Sequence, residues 1–411
     1  MSVEKESINL QKCSPDELMA LGNKAKEAGD IENAIKYYEM AGKAGNTDGY
    51  AEIGLMYQYG EGVELSHAKA LSWHQKVIDA GDMDGYWLKG NTYREMEDYN
   101  AAAECYEIAF EKAGNCKKYA AYDLAMAYHY GEGKEENFAK ALELYHLAAE
   151  NGVDLAMLAL GKLFQYGDIV QEDHESALYW YEKAKEAGNE DAEEYIKLNE
   201  IDEYLILGSY SMETKDYDTA LKAYNAAADM GSIDAMVCLG DIYNEGFACR
   251  RNPELSFEFF QKAADAGNSE GMYGLAQAYG CGYGVNIDGE KALEWFEKAA
   301  EAGSYKAMMD LADSFIRAGT YIGEFYDMLK ENEVFIGNAV VTRPVDEDKA
   351  LYWYQEAIKA LEEYGDKDLL ADKYRKVSKD INMYSKSTKL KFFADECIKK
   401  RRTLLTGITD E

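Results

Sequence analysis

The side chains that most often carry chemistry are few in this chain, and their spacing fits no reaction. Five histidines, His67, His74, His129, His146 and His174, are scattered through its first half. No HExxH run pairs two of them for zinc, and no His-x3–5-His pair accompanies cysteines. His67 and His74 stand seven apart, so on a helix they share a face. That pattern reads as packing or surface histidine, and no metal or other cofactor is expected. Seven cysteines (13, 105, 116, 238, 249, 281 and 397) form no CxxC pair. They read as small thiols in a reducing compartment, with structural zinc or disulfides as the alternative. No GxSxG elbow occurs, and Gly280-x-Gly282-x-Gly284 lacks the lysine and threonine of a phosphate loop. Carboxylates are so numerous, 77 Asp and Glu in 411 residues, that any pair can arise by chance on a solvated helix face. Nothing argues for catalysis, and the expectation is that the chain is not an enzyme.

The elements that would position a site are easier to read. The chain is 47% hydrophobic and 29% charged, with 35 glycines and only 3 prolines. That is the composition of helices punctuated by glycine turns. A formal net charge of −33 excludes a surface that tracks phosphates over most of its length. No run of eighteen apolar residues suits a membrane span. Met1 to Gln11 carries no apolar secretory core, so the expected compartment is the cytoplasm.

Glycines that close helical patterns recur at Gly45, Gly81, Gly114, Gly152, Gly188, Gly231, Gly267 and Gly303, at intervals of 33 to 43 residues. Such regularity predicts stacked units rather than independent domains. Each unit holds two amphipathic stretches joined by a short polar loop. Between Gly271 and Gly303, Leu275, Ala276 and Tyr279 form one buried stripe. Gly280, Gly282 and Gly284 break the helix and Val285 returns to the core. Asp288 caps a second helix carrying Lys291-Ala292, Trp295-Phe296 and Lys298-Ala299-Ala300.

This unit resembles the Sel-1-like repeat, a relative of the tetratricopeptide repeat. Its pattern LGxxYxxGxGVxxDxxKAxxWYxKAAxxG is also matched by Ile53-Gly54, Tyr57, Gly60, Gly62-Val63, Lys69-Ala70, Trp73 and Lys76. Further matches begin at Leu124-Ala125, Leu160-Gly161 and Leu239-Gly240. Units 21–45, 90–114 and 207–231 lack the GxGV loop and resemble plain tetratricopeptide repeats. The resemblance covers residues 14–365. It implies an all-α, right-handed α/α superhelical solenoid of about nine helix pairs.

Ser14, Pro15 and Glu17 make a capping box that starts the first helix, leaving residues 1–13 as a flexible terminus. The ninth unit is interrupted: Phe315 to Lys349 spans 34 residues where Tyr279 to Lys291 spans 12. The extra stretch, about 319–345, contains Phe325, Tyr326, Phe335, Ile336, Val340 and Val341. It reads as an ordered flap or a partner-binding element. Residues 366–411 carry a net charge of +4 against −37 for the remainder. They suit capping helices, with Leu369, Leu370, Tyr374, Val377, Leu390, Phe392, Phe393 and Ile398 as their apolar face. Lys399 to Arg402 reads as helix-terminal charge, with a nuclear-localisation or anionic-lipid patch as the alternative.

In the related superhelix, first helices line a concave groove and their non-consensus positions face the ligand. The resemblance thereby places Tyr59, Trp87, Arg94, Tyr122, Met126, His129, Tyr130, Leu158, Lys162, Gln165 and Tyr166 in such a groove. Tyr59, Tyr130 and Tyr166 occupy equivalent positions, as a groove ladder or as packing beneath the loops. The expected function is a scaffold or adaptor that binds a protein or peptide of basic character. The alternatives are an immunity protein that captures a toxin, a subunit with a small-molecule site at 319–345, and a membrane-peripheral tether. Neither nucleic acid nor a membrane span is expected, and the oligomeric state is not legible.

Overall fold

The computed structural model describes residues 10, 13–246, 250–317, 333–336, 339–342, 345–385 and 387–406. Most of the expected flexible terminus and most of the 319–345 insertion, Phe325 and Tyr326 included, lie outside these residues. So does Cys249. The chain divides into two compact units, residues 1–199 and 200–411.

In the first unit the helices follow as α1 (Pro15–Glu27), α2 (Ile31–Lys43), α3 (Asp48–Tyr59), α4 (His67–Asp79) and α5 (Gly85–Glu95). Then come α6 (Tyr99–Lys112), α7 (Lys117–Tyr130), α8 (Phe138–Glu150), α9 (Asp154–Tyr166) and α10 (His174–Glu186). Helix α11 (Ala192–Glu213) contains the division. The second unit continues with α12 (Tyr217–Asp229), α13 (Ile233–Glu245), α14 (Pro253–Asp265), α15 (Ser269–Cys281) and α16 (Gly289–Glu301). It ends with α17 (Tyr305–Arg317), α18 (Glu347–Tyr364), α19 (Lys367–Tyr384) and α20 (Thr388–Thr406). Odd- and even-numbered helices pack as hairpins, α11 and α12 meeting at Gly208 and Tyr224, and successive hairpins meet through the second helix, as α2 meets α3 and α14 meets α15. Each unit is thus an α/α solenoid, as its sequence predicts.

One joint recurs in each hairpin from α1–α2 to α17–α18. A glycine or alanine on the first helix faces an aromatic ring from the second. A Cβ added to Gly22, Gly90, Gly161, Gly208 or Gly240 would overlap the ring of Tyr38, Tyr106, Tyr181, Tyr224 or Phe260. Alanine takes this place at Ala125, Ala276 and Ala312, in the same cores as Tyr145, Phe296 and Tyr354. In α3 and α4 the pair is Gly54 and His74, an imidazole where other hairpins have a six-membered ring. The missing or single-carbon side chain lets the ring approach the helix closely. Sixteen residues separate the partners in hairpins with a tight turn, twenty in those with the GxGV loop, and 42 in the ninth.

The helix ends follow the residue types. Ser14 Oγ accepts from the Glu17 N–H at 3.2 Å while Glu17 Oε2 accepts from the Ser14 N–H at 2.7 Å, the expected capping box. Across the insertion, Asp346 caps α18 through the Lys349 N–H at 3.0 Å. Its own N–H donates to Phe315 O at 3.2 Å, closing the excursion.

The solenoid is all-α as expected, and a short strand pair is added within the insertion. Strands β1 (Glu333–Ile336) and β2 (Ala339–Thr342) pair antiparallel with Ile336 opposite Ala339. Two β-branched runs flank Gly337-Asn338, residue types of a tight hairpin that outweigh the surrounding helical pattern. The apolar face expected for the last helices also shifts. Leu370, Tyr374, Val377 and Leu390 are buried, but Phe392 and Ile398 are exposed. Ala394 and Cys397 complete the stripe instead, one and two turns beyond Leu390. Lys400 Nζ lies 2.9 Å from Glu362 Oε1 on α18, so part of the basic run rests on acidic neighbours. Among the described residues no helix is long and apolar enough to cross a membrane.

Candidate functional site

The joint also decides which way the groove candidates point. One turn after the joint glycine or alanine stand Gln58, Arg94, His129 and Gln165; the next residues are Tyr59, Glu95, Tyr130 and Tyr166. A step of about 100° along the helix sends consecutive side chains to different surroundings. Gln58 and Gln165 are each 2% exposed, whereas Tyr59, Tyr130 and Tyr166 are 54%, 58% and 59% exposed.

The inward position serves the ring. Gln165 Oε1 accepts the Tyr181 hydroxyl at 2.6 Å, and Gln58 Oε1 lies 3.4 Å from His74 Nε2. His129 Nδ1 lies 3.4 Å from the Tyr145 hydroxyl. Gln165 therefore belongs to the hairpin interior and not to the groove face where the repeat alignment puts it. The polar tip of a buried ring needs a partner, and Gln165 supplies one.

Trp87 and Arg94 converge on one carboxylate. The Trp87 indole N–H donates to Asp123 Oδ2 at 2.7 Å, and the Arg94 guanidinium meets Oδ1 at 2.6 Å. Burial pushes the Asp123 carboxyl up, and Arg94 and Trp87 oppose that shift. These contacts tie α5 to α7. Trp87 also packs on Tyr119 with ring centroids 5.5 Å apart. Tyr59 stands apart on α3, where burial raises its hydroxyl, Glu95 adds to the shift and Arg94 opposes it.

Between α7 and α9 lies a pocket of about 550 Å³. Seven groove candidates line it: Tyr122, Met126, His129, Tyr130, Leu158, Lys162 and Tyr166. The sequence reading missed Tyr145, Leu155, Ala159, Leu163, Asp168 and Asp191, which complete the wall. Tyr145 comes from α8 as the joint ring. Asp168 follows the left-handed Gly167 that ends α9, and Asp191 stands just before α11. Both acidic residues sit in connections, where helical periodicity carries no signal.

The pocket combines aromatic walls, an aliphatic floor and a few charges. His129 stacks on Tyr130 at 4.3 Å and 19°, and its Nε2 lies 2.9 Å from Asp168 Oδ2. Lys162 Nζ sits 4.1 Å above the Tyr195 ring. Burial, helped by Asp123, pushes the Tyr122 hydroxyl up to about 12. Size and composition are those of a side-chain or small-ligand site.

The Sel1 repeat family model matches residues 22–46, 47–82, 118–153, 154–189, 233–268, 269–304 and 337–360. The match includes the first hairpin despite its tight turn, and the third and sixth hairpins lie between matches. An uncharacterized protein of Neisseria meningitidis is 26% identical over 241 residues, 53% of this chain and 51% of that one. A chitin synthase regulatory factor of Schizosaccharomyces pombe is 29% identical over 239 residues, 56% of this chain and 25% of its own length. The chain therefore spans about half or less of these relatives. A Sel1 repeat protein of Oxalobacter formigenes, of known crystal structure, is 23% identical with a TM-score of 0.47, over 74% of this chain and 87% of that one. The seven matched segments together cover more than half of the sequence, and the chain belongs to the Sel1 repeat family.

Proposed function

We propose that this protein is a non-enzymatic interaction scaffold that holds a peptide or protein segment along the first helices of residues 48–199. Repeats of this family act in protein–protein interaction, which supports the general class. One observation supports the placement: seven side chains chosen by repeat alignment, the half-exposed Tyr130 and Tyr166 among them, line a single pocket. Rigid aromatics of this kind anchor partners at low entropic cost. The net charge of −33 favours a partner of basic character through steering.

Site-specific photo-crosslinking in the native cell tests this reading. A benzophenone side chain at Tyr130 or Tyr166 is expected to give one discrete protein adduct. The same group at Tyr179, 53% exposed on the second helix α10, is expected to give none. Equal adducts from all three positions, or none from Tyr130 and Tyr166, would overturn it.

A further inference from the structure

We infer that the α7–α9 pocket receives an arginine side chain of the partner, an inference that rests on the binding face proposed above. Leu155, Leu158, Ala159 and Leu163 supply an aliphatic floor suited to the stem of a long side chain. Tyr130, stacked on His129 through one face, and Tyr166 line the pocket as more than half exposed rings, of the kind on which a planar guanidinium stacks.

Charge selects among occupants. Among the described residues the Asp191 carboxylate has neither a hydrogen bond nor an ion pair, and Asp168 gives only Oδ2 to His129. Both carboxylates are exposed, and an apolar side chain would gain nothing from either. An anion would meet two carboxylates against one ammonium, Lys162, which lies over the Tyr195 ring and keeps its charge. A cation answers both. Arginine exceeds lysine here because its fork can donate to two carboxylates while its plane lies on a ring. The chain already seats its own cations on rings: Lys76 lies 3.4 Å over Trp73 and Lys140 4.2 Å over Tyr128.

The test uses the full chain and a phage-displayed library of random twelve-residue peptides, followed by fluorescence anisotropy on synthetic versions of the selected sequences. Selected peptides are expected to share an arginine. Replacing it by lysine should weaken binding about fivefold, and by norleucine about thirtyfold, in keeping with the loss of charge-assisted bonds. Asp168→Asn with Asp191→Asn should weaken the arginine peptides about tenfold or more, at an unchanged unfolding midpoint. Lys162→Gln should leave them unchanged or tighter. Selected peptides that lack a basic residue yet lose binding on Tyr130→Ala with Tyr166→Ala would overturn the arginine and leave the binding face standing. Peptides indifferent to every pocket variant, or no enrichment, would overturn both.

Discussion

The Arg94 guanidinium lies 2.6 Å from the Asp123 carboxylate, a buried acid that also takes the Trp87 indole N–H. Two first helices are joined there by one side chain, so removal of the acid strands a guanidinium and an indole donor together. Asp123→Ala should destabilise the first unit by about 2 kcal/mol, and Asp123→Asn by less because the Trp87 bond survives. Urea denaturation of both variants decides this. Arg94→Ala combined with Asp123→Ala should cost less than the sum of the single changes, and strict additivity would show that the pair is not coupled.

His74 is the exception among the joint rings and should make stability depend on pH. Burial, with Lys89 nearby, lowers its folded pKa to about 4, while the unfolded chain protonates near the ordinary value of 6.5. The native state therefore holds the neutral form. Stability is full above about pH 6.5 and falls as the pH drops towards 4, by up to about 3 kcal/mol. His74→Tyr should remove that dependence and add about 1 kcal/mol near pH 7. It would place a hydroxyl on Gln58, as Tyr181 has on Gln165, in place of an imidazole whose Nδ1 is buried with no hydrogen-bond partner. Denaturation midpoints from pH 4 to 8 that fall equally in both proteins would refute the assignment.

Two classes of tyrosine should separate cleanly on truncation. Tyr145→Ala removes a ring with 2% exposure and should cost about 3–5 kcal/mol. Tyr130→Ala and Tyr166→Ala remove rings more than half exposed and should each cost under about 1 kcal/mol. Thermal or chemical unfolding distinguishes the classes, and a large loss at Tyr130 or Tyr166 would make it a packing residue.

The insertion in the ninth hairpin should be dispensable for pairing. Deleting residues 320–341 leaves nine residues from Phe315 to Asp346, the interval from Tyr279 to Asp288. Ala312 and Tyr354 would then stand twenty apart, as the joint partners do in the eighth hairpin. The deletion variant should keep its helical circular-dichroism signal and unfold within about 2 kcal/mol of the parent, since the lower entropy of closing a shorter loop offsets part of the packing that β1 and β2 give to α16 and α17. Disappearance of the helical signal would mean that the insertion organises α17 and α18.

The repeat was legible because glycines recur at intervals of 33 to 43 residues and because Ser14, Asp288 and Asp346 are cap residues by type. Seven pocket residues were legible for the same reason: equivalent positions in equivalent helices face alike. Gln165 was misplaced because sequence alignment does not reveal which neighbour turns inward to meet a ring hydroxyl. Asp168 and Asp191 were missed because they stand in connections. The hairpin at 333–342 was missed because its β-branched runs are only four residues each, inside a stretch dominated by helix.

The ring seated on a bare stretch of helix has an engineering corollary. Because one contact sets how the two rods of a hairpin align, the intervening connector is slack rope: sixteen, twenty or 42 residues reach the same fastening. The ninth hairpin already carries a spliced-in segment between its rods while the fastening stays as it was.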